Sequence, residues 1–280
     1  MPMLRPVHIT QCIALTLVLS WAAPIRADDP FTPGCTLPFA AIAQMHPLDN
    51  SCPIQGQGSA KSQLQNQAKN NFCAAGTPVT LTYQNFKSLQ TAVKNDGTIQ
   101  FGCPTCLPDD RSKLRDIFTL PNGTRIGEGS LVRYVGFIAN PRYSNTSGGE
   151  TVNCKQNGQP NNDIHVDIMR QTEGHEPACR SITVEISPHF RPAQWERDRL
   201  REARAHPVRI TGQLFFDAAH KPCASDTDPV SPKRISLWEI HPVYGIDVCV
   251  NGTIASCPAG NESKWIPLHQ WVNTEEDEDE

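Results

Sequence analysis

Between residues 130 and 249 the chain alternates short apolar runs with turn-rich stretches in the order strand, strand, strand, helix, strand, strand, and few architectures accommodate that order. The first run, residues 131–138, is broadly apolar. In the second, 163–169, Ile164, Val166 and Ile168 fall on one face and leave Asp163, His165 and Asp167 on the other. Residues 181–187 repeat the pattern with Ile182, Val184 and Ile186 inward and Thr183 and Glu185 outward, and 208–216 repeat it again with Ile210, Gly212, Leu214 and Phe216 inward. In the last run, 238–248, Trp238, Ile240, Tyr244, Ile246 and Val248 share one parity over a length that only a curved strand spans. Pro242 and Gly245 are the expected bulge positions, and Glu239, His241 and Asp247 take the outer face.

Residues 192–205 (PAQWERDRLREARA) begin with Pro, hold no internal Gly and are rich in helix formers, which predicts a helix of about four turns. Its apolar surface is mainly Trp195 and Leu200, so it is expected to plug one barrel end. The fold class this implies is mainly β: a five-stranded OB-fold-like barrel with a helix between strands three and four, spanning 111–257. Upstream, 59–72 read as a polar helix, 78–83 as a short strand and 84–94 as a second helix. They form a small α+β, disulfide-containing extension over 28–110, with too few apolar residues to stand alone. Residues 258–280 follow as a C-terminal segment.

Arg5, the apolar run 12–23 and Ala27 before Asp28 and Asp29 are laid out as a signal peptide over 1–27, which predicts a secreted or periplasmic protein. That run is short for a membrane span, and no integral membrane segment is expected. Beyond it lie ten cysteines, Cys35, Cys52, Cys73, Cys103, Cys106, Cys154, Cys179, Cys223, Cys249 and Cys257. An even set in an exported chain reads as disulfides, and five on either side of residues 107–153 require at least one bridge between the halves if all are oxidised. The CPTC pair, Cys103 and Cys106, is expected to be structural before it is a redox pair or half of a zinc site.

The net charge of −4 comes from the end of the chain, because six of its 29 acids are the last six residues, leaving 25 basic residues against 23 acids. There is no basic footprint for nucleic acid, and the faces of strands two and three offer carboxylates and no stacking aromatics, so nucleic acid is disfavoured as a partner. Arginines 191, 197, 199, 201, 204 and 209 cluster around the helix, but Glu196, Asp198 and Glu202 oppose them as on a salt-bridged surface. OB barrels meet ligands at the loops joining strands one to two and four to five, here 140–162 and 217–234. Each contains a cysteine (Cys154, Cys223) that would hold it in place, and preordering lowers the entropy cost of binding.

The outward set His165, Asp167, Glu185, Glu239 and His241, with Asp217 and His220 from the second loop, is the constellation that would carry chemistry. Two imidazoles with carboxylates suit a divalent ion that polarises a phosphoryl or carbonyl group. The plainer reading keeps these positions as solvated strand polarity, with Glu239 and His241 bonding to nearby loop backbone. The phrases GEGSLVRYVGFI, GGETVNC, NDIHVDI, EISPHFRP, GQLFFDAAH and WEIHPV resemble those of uncharacterised exported bacterial proteins with an OB-like domain. The resemblance covers about residues 111–250 and implies the fold and an exported setting. Its polar members, Asn153, His165, His189, Asp217, His220, Glu239 and His241, suggest sites, and the candidate ligand-binding positions are Asn153, His165, Asp167, Glu185, Asp217, His220, Glu239 and His241. The leading expectation is a non-enzymatic binding module for an extracytoplasmic ligand such as a carbohydrate or peptide, with no cofactor required. The alternatives are a metal-assisted hydrolase, such as a phosphodiesterase, and a structural envelope component.

Overall fold

The structure is a computed structural model describing Leu48, residues 51–192 and residues 194–273. The predicted signal peptide, Cys35 and the acidic end of the chain lie outside the described residues. An N-terminal layer comprises helix α1 (Ala60–Lys69), strand β1 (Val79–Thr80), helix α2 (Tyr83–Asn95) and a small hairpin of β2 (Phe118–Thr119) and β3 (Arg125–Ile126). The barrel follows: β4 (Leu131–Tyr143), β5 (Ile164–Met169), β6 (Ile182–Ile186), helix α3 (Arg197–Glu202), β7 (Pro207–Phe216) and β8 (Trp238–Val248). Short β9 (Ile266–Pro267) then pairs with β8.

The five long strands lie in the order β4, β5, β6, β8, β7, and β4 returns to pair with β7, closing the cylinder. Among these five strands only β6 and β8 run parallel, through Val184 and Ile240, because the chain leaves β6 through α3 and β7 before reaching β8. The predicted alternation fills the interior: Val166, Val184, Ile210 and Ile240 are buried in one cluster. Each such aliphatic side chain contributes roughly 1.5–3 kcal/mol on leaving water.

Strand β8 carries two bulges. Its pairing with β7 steps from Thr211–Gly245 to Gly212–Val243 and then to Leu214–Ile240, so β8 spends an extra residue twice, around Tyr244 and around His241–Pro242. The bulges fall where Pro242 and Gly245 predict them, with one consequence that simple parity misses. Val243 joins the interior, whereas Tyr244 turns outward to pack with Phe72, Ala74, Leu131 and Phe190, its hydroxyl donating to the Asn71 carbonyl at 2.7 Å. Gly212 permits the close approach, since a Cβ there would stand 2.4 Å from the Pro242 carbonyl oxygen.

Helix α3 is shorter than four turns: six residues, extended by a 3-10 turn over Ala203–Ala205. The chain before it makes a turn in which Trp195 N–H donates to the Pro192 carbonyl, and that turn, not a helix, seats the indole. Trp195 and Leu200 are buried in the main core, as a plug requires. The arginines around α3 pair with Asp198, Glu202 and Glu173, the salt-bridged surface expected.

Among the described residues four disulfides join eight cysteines: Cys52–Cys154, Cys103–Cys106, Cys179–Cys223 and Cys249–Cys257. The first bridges the halves over 102 positions and ties the chain before α1 to the β4–β5 loop, and the third anchors the β7–β8 loop. Replacing Cys52 and Cys154 together with Ala is expected to lower stability by about 2–5 kcal/mol in urea unfolding. Hydrogen-exchange protection over 60–69 should fall with it; unchanged protection there would mean that the bridge does not hold α1 down.

Candidate functional site

Helix α1 is built inside out. Ser59 caps it by accepting from Ser62 N–H, and its inward stripe, Ser62, Gln65, Asn66 and Lys69, is polar, whereas Leu64 is 42% exposed. The spacing is that of a helix face, and what this face covers is the outer polar side of the barrel. The strand residues expected to face solvent are therefore buried. Glu185, Glu239 and His241 are at most 1% exposed, Asp163 is fully buried and Asp167 is 6% exposed. The plainer reading of solvated strand polarity fails on this point. The alternation is right, but a second layer of polar side chains closes over it.

Beneath α1, four elements deliver charges to one place. Lys69 Nζ donates to Glu185 Oε2 at 3.1 Å. His165 Nε2 lies 3.4 Å from Glu150 Oε1 and 3.4 Å from Glu185 Oε1. His241 Nδ1 lies 2.6 Å from Glu185 Oε2, and its Nε2 is 3.7 Å from Asp163 Oδ2. These His approaches lack hydrogen-bond alignment: His165 Nε2, both ring nitrogens of His241 and Asp163 Oδ2 are buried with no hydrogen-bond partner among the described residues. Two overlapping trios result, Glu150–Asp163–His165 and Asp163–Glu185–His241, in each of which one ligand atom per residue lies within 4.8 Å of the others.

Neighbours fix the ligand candidates. Asn153 donates to Asp163 Oδ1 at 3.0 Å, Ser144 donates to Glu150 Oε1 at 2.9 Å, and Phe215 packs edge-on against the His241 ring. Gly149, at φ +65°, makes the turn that presents Glu150; a Cβ there would strike the Lys155 backbone at 2.3 Å. Alongside, Arg234 is fully buried between Glu239 and Asp217. Asp217 also accepts from Gln65 Nε2 and faces His220 Nδ1 at 2.5 Å.

Five carboxylates, Glu150, Asp163, Glu185, Asp217 and Glu239, thus share a buried region with two permanent cations, Lys69 and Arg234. Burial pushes the Asp163 carboxyl up, reinforced by Glu150 and Glu185, and burial with Glu185 does the same for Glu239. For Glu185, burial is outweighed by His165, Lys69 and His241, which hold it well below the usual range; His165 and Lys69 likewise bring Glu150 down to about 2. Burial opposes a charge on His165, but Glu185, Glu150 and Asp163 push its pKa up to about 9. Burial lowers that of His241, leaving a neutral imidazole. Without a bound cation, the cluster therefore balances three ionised carboxylates (Glu150, Glu185, Asp217) against Lys69, Arg234 and protonated His165, with protons held on Asp163 and Glu239.

The cluster opens on a cavity of about 530 Å³. Glu150, His165, Glu185 and Lys69 reach its wall, Asp163 and His241 lie behind it, and Asp217, His220 and Arg142 complete the polar lining. Both predicted rim loops contribute, through Ser144–Val152 positions 144, 145 and 149–152 and through 217, 219, 220 and 232. A second hollow of about 500 Å³ follows the other flank of α1, where Arg111 is closed on Glu128.

Of the candidate residues, His165, Glu185 and His241 converge, Asn153 supports them through Asp163, and Asp217, His220 and Glu239 stand beside them. Asp167 does not join: it pairs with Arg142 Nη1 at 3.0 Å and Asn140 Nδ2 at 3.1 Å. His189 packs edge-on to Phe72 instead. Missed by sequence reasoning were Lys69 and Arg234, which came from segments read as a polar helix and a loop, and the placing of Asp163 and Glu150 beside the two imidazoles. The one available signal was the i, i+3, i+4, i+7 polar stripe of α1. No protein family, curated protein or solved structure matches this chain. Among the described residues, no helix is long and apolar enough to cross a membrane.

The raised His165 pKa fixes a sign. Folded-state protonation stabilises fully below the unfolded value of about 6.5 and is lost as pH rises through about 9, a difference on the order of 3 kcal/mol. The melting temperature of EDTA-treated protein should therefore fall between pH 6.5 and 9, and His165→Gln should flatten that fall. A metal-free melting temperature that rises over this range would contradict the charge balance given above.

Proposed function

We propose that this chain is an exported, divalent-metal-dependent hydrolase whose metal centre is formed by Asp163, His165, Glu185 and His241 with Glu150. The observation that carries the reading is the pair of overlapping His–carboxylate trios whose buried ring nitrogens and carboxylate oxygen have no hydrogen-bond partner, set at the wall of a cavity. An orphaned buried polar atom costs roughly 1–3 kcal/mol, and several in one place mark a site built for something else. Imidazole and carboxylate donors together suit zinc, manganese or iron. Glu150 and His165 would present the ion to the cavity, while Asp163 and His241 hold it from behind.

A metal at this point polarises a bound phosphoryl or carbonyl oxygen and lowers the pKa of water. It also removes the objection that carboxylates repel an anionic substrate, because a divalent charge takes the place of the protons on Asp163 and His165. The disulfides are in keeping with an oxidising compartment, which is the basis for placing the protein outside the cytoplasm. The binding-module reading shares the same cavity and rim loops but leaves the orphaned nitrogens unexplained.

Protein purified without chelator is expected to carry at least one equivalent of divalent metal per chain by elemental analysis, and to hydrolyse members of a phosphate- and carboxylate-ester panel until EDTA removes the metal. His241→Gln should cut bound metal more than tenfold while the far-ultraviolet spectrum is retained. Affinity should weaken as pH falls toward 5, since the ligands must shed protons. Metal-free protein that takes up no added zinc or manganese would contradict the reading and leave a binding module.

A further inference from the structure

Lining the same cavity as Glu150, His165 and Glu185 is a second unit, Asp217 and His220, which the metal reading does not use. Asp217 is 2% exposed and held by several donors: Gln65 Nε2 and Ala219 N–H at 3.2 Å on Oδ1, and Arg234 Nη1 at 3.3 Å with His220 Nδ1 at 2.5 Å on Oδ2. His220 and Arg234 hold it ionised, so Nδ1 of His220 is the donor and the ring orientation is set. No described residue bonds Nε2, and the imidazole is 40% exposed at the cavity wall. A buried carboxylate that fixes an imidazole, whose other nitrogen remains at a cavity, is the arrangement of an oriented acid or base.

The same wall carries Lys69 and Arg142, and its few apolar members, Val152, Ala219, Pro104 and Pro232, include no aromatic ring. Lys69, paired with Glu185, and Arg142, paired with Asp167, share this lining with the carboxylates of Glu150, Glu185 and Asp217. An anion would therefore be held there chiefly by the bound ion, with Lys69 and Arg142 as hydrogen-bond donors, and there is no surface on which a base or a sugar ring stacks. We propose that the cavity takes a phosphate ester and that His220, oriented by Asp217, is the acid that protonates its leaving oxygen. This rests on the metal-centre reading. Water attacks phosphorus from the metal side, the bond from phosphorus to the leaving oxygen breaks with its electron pair going to that oxygen, the proton on His220 Nε2 passes to it, and the attacking water releases its own proton to solvent. His220 then regains a proton from solvent, so no other reactant is needed.

The test compares leaving groups in the metal-loaded full chain. Nitrophenolate is a weak base that departs unaided, whereas phenolate is stronger and needs a proton. His220→Gln should slow hydrolysis of phenyl phosphate and diphenyl phosphate by at least 100-fold, within the range general acids supply. With p-nitrophenyl phosphate and its bis ester the loss should stay under tenfold, and the mono- and diester arms identify which class of phosphate ester the cavity takes. Metal content and melting temperature of the variant should match wild type, which separates loss of the acid from loss of the site. Equal slowing with both leaving groups, or none, would overturn the role of His220. A metal-loaded wild type that cleaves carboxylic esters and no phosphate ester would overturn the substrate class while leaving the metal centre standing. Absence of bound metal would instead remove the reading on which both rest.

Discussion

The charge balance under helix α1 is the constraint on which the rest of this structure depends. Removing a carboxylate from water costs several kcal/mol unless a countercharge or hydrogen bonds replace the solvent, and five are removed here within one region. Lys69 and Arg234 answer part of that demand, each in contact with Glu185 or with Glu239 and Asp217. The helix that brings Lys69 is polar on its inward side for the same reason, and the chain before it is clamped by Cys52–Cys154. An apolar helix would cost Asp217 its Gln65 donor and Glu185 its Lys69 ammonium; a free helix would let water in and weaken every ion pair beneath it.

The barrel makes this arrangement possible by separating two tasks along each strand. Residues of one parity, such as Val166, Val184 and Ile240, fill the interior. Their alternates, His165, Glu185 and Glu239, are held rigidly on the outer face, where closure of β4 on β7 leaves them little freedom. The parallel contact of β6 with β8 then matters for chemistry, because it sets Glu185 next to His241, while the antiparallel pairing of β5 with β6 sets His165 opposite Glu185. Glu185 thereby faces both imidazoles, one with each oxygen.

Sequence periodicity revealed the barrel well, because alternation in the second to fifth runs is a local property and the strand–helix order admits few closures. It also identified His165, Glu185 and His241 as sharing one side. It failed on their environment, since burial of a face depends on what packs against it, and the covering layer came from a helix with almost no apolar residues. Polar stripes at helical spacing are ordinarily solvated, so the one signal, the stripe of Ser62, Gln65, Asn66 and Lys69, was too common a pattern to point to a buried face. Tyr244 was misplaced for a similar reason: two bulges in β8 shift its parity, and their residue-by-residue placement depends on the pairing with β7. Asp167 shares a face with His165 but lies two residues along the strand, far enough for Arg142 and Asn140 to claim it.

The central claim is that the orphaned atoms of Asp163, His165 and His241 surround a cation site. Anomalous diffraction from crystals grown with zinc or manganese, collected on either side of the metal absorption edge, tests it most directly. The account predicts a peak within about 2.0–2.2 Å of an Asp163 oxygen and of an imidazole nitrogen of His165 or His241. A clean map at that position, with Glu185 and His241 joined by an aligned hydrogen bond and density only on surface residues, would contradict it.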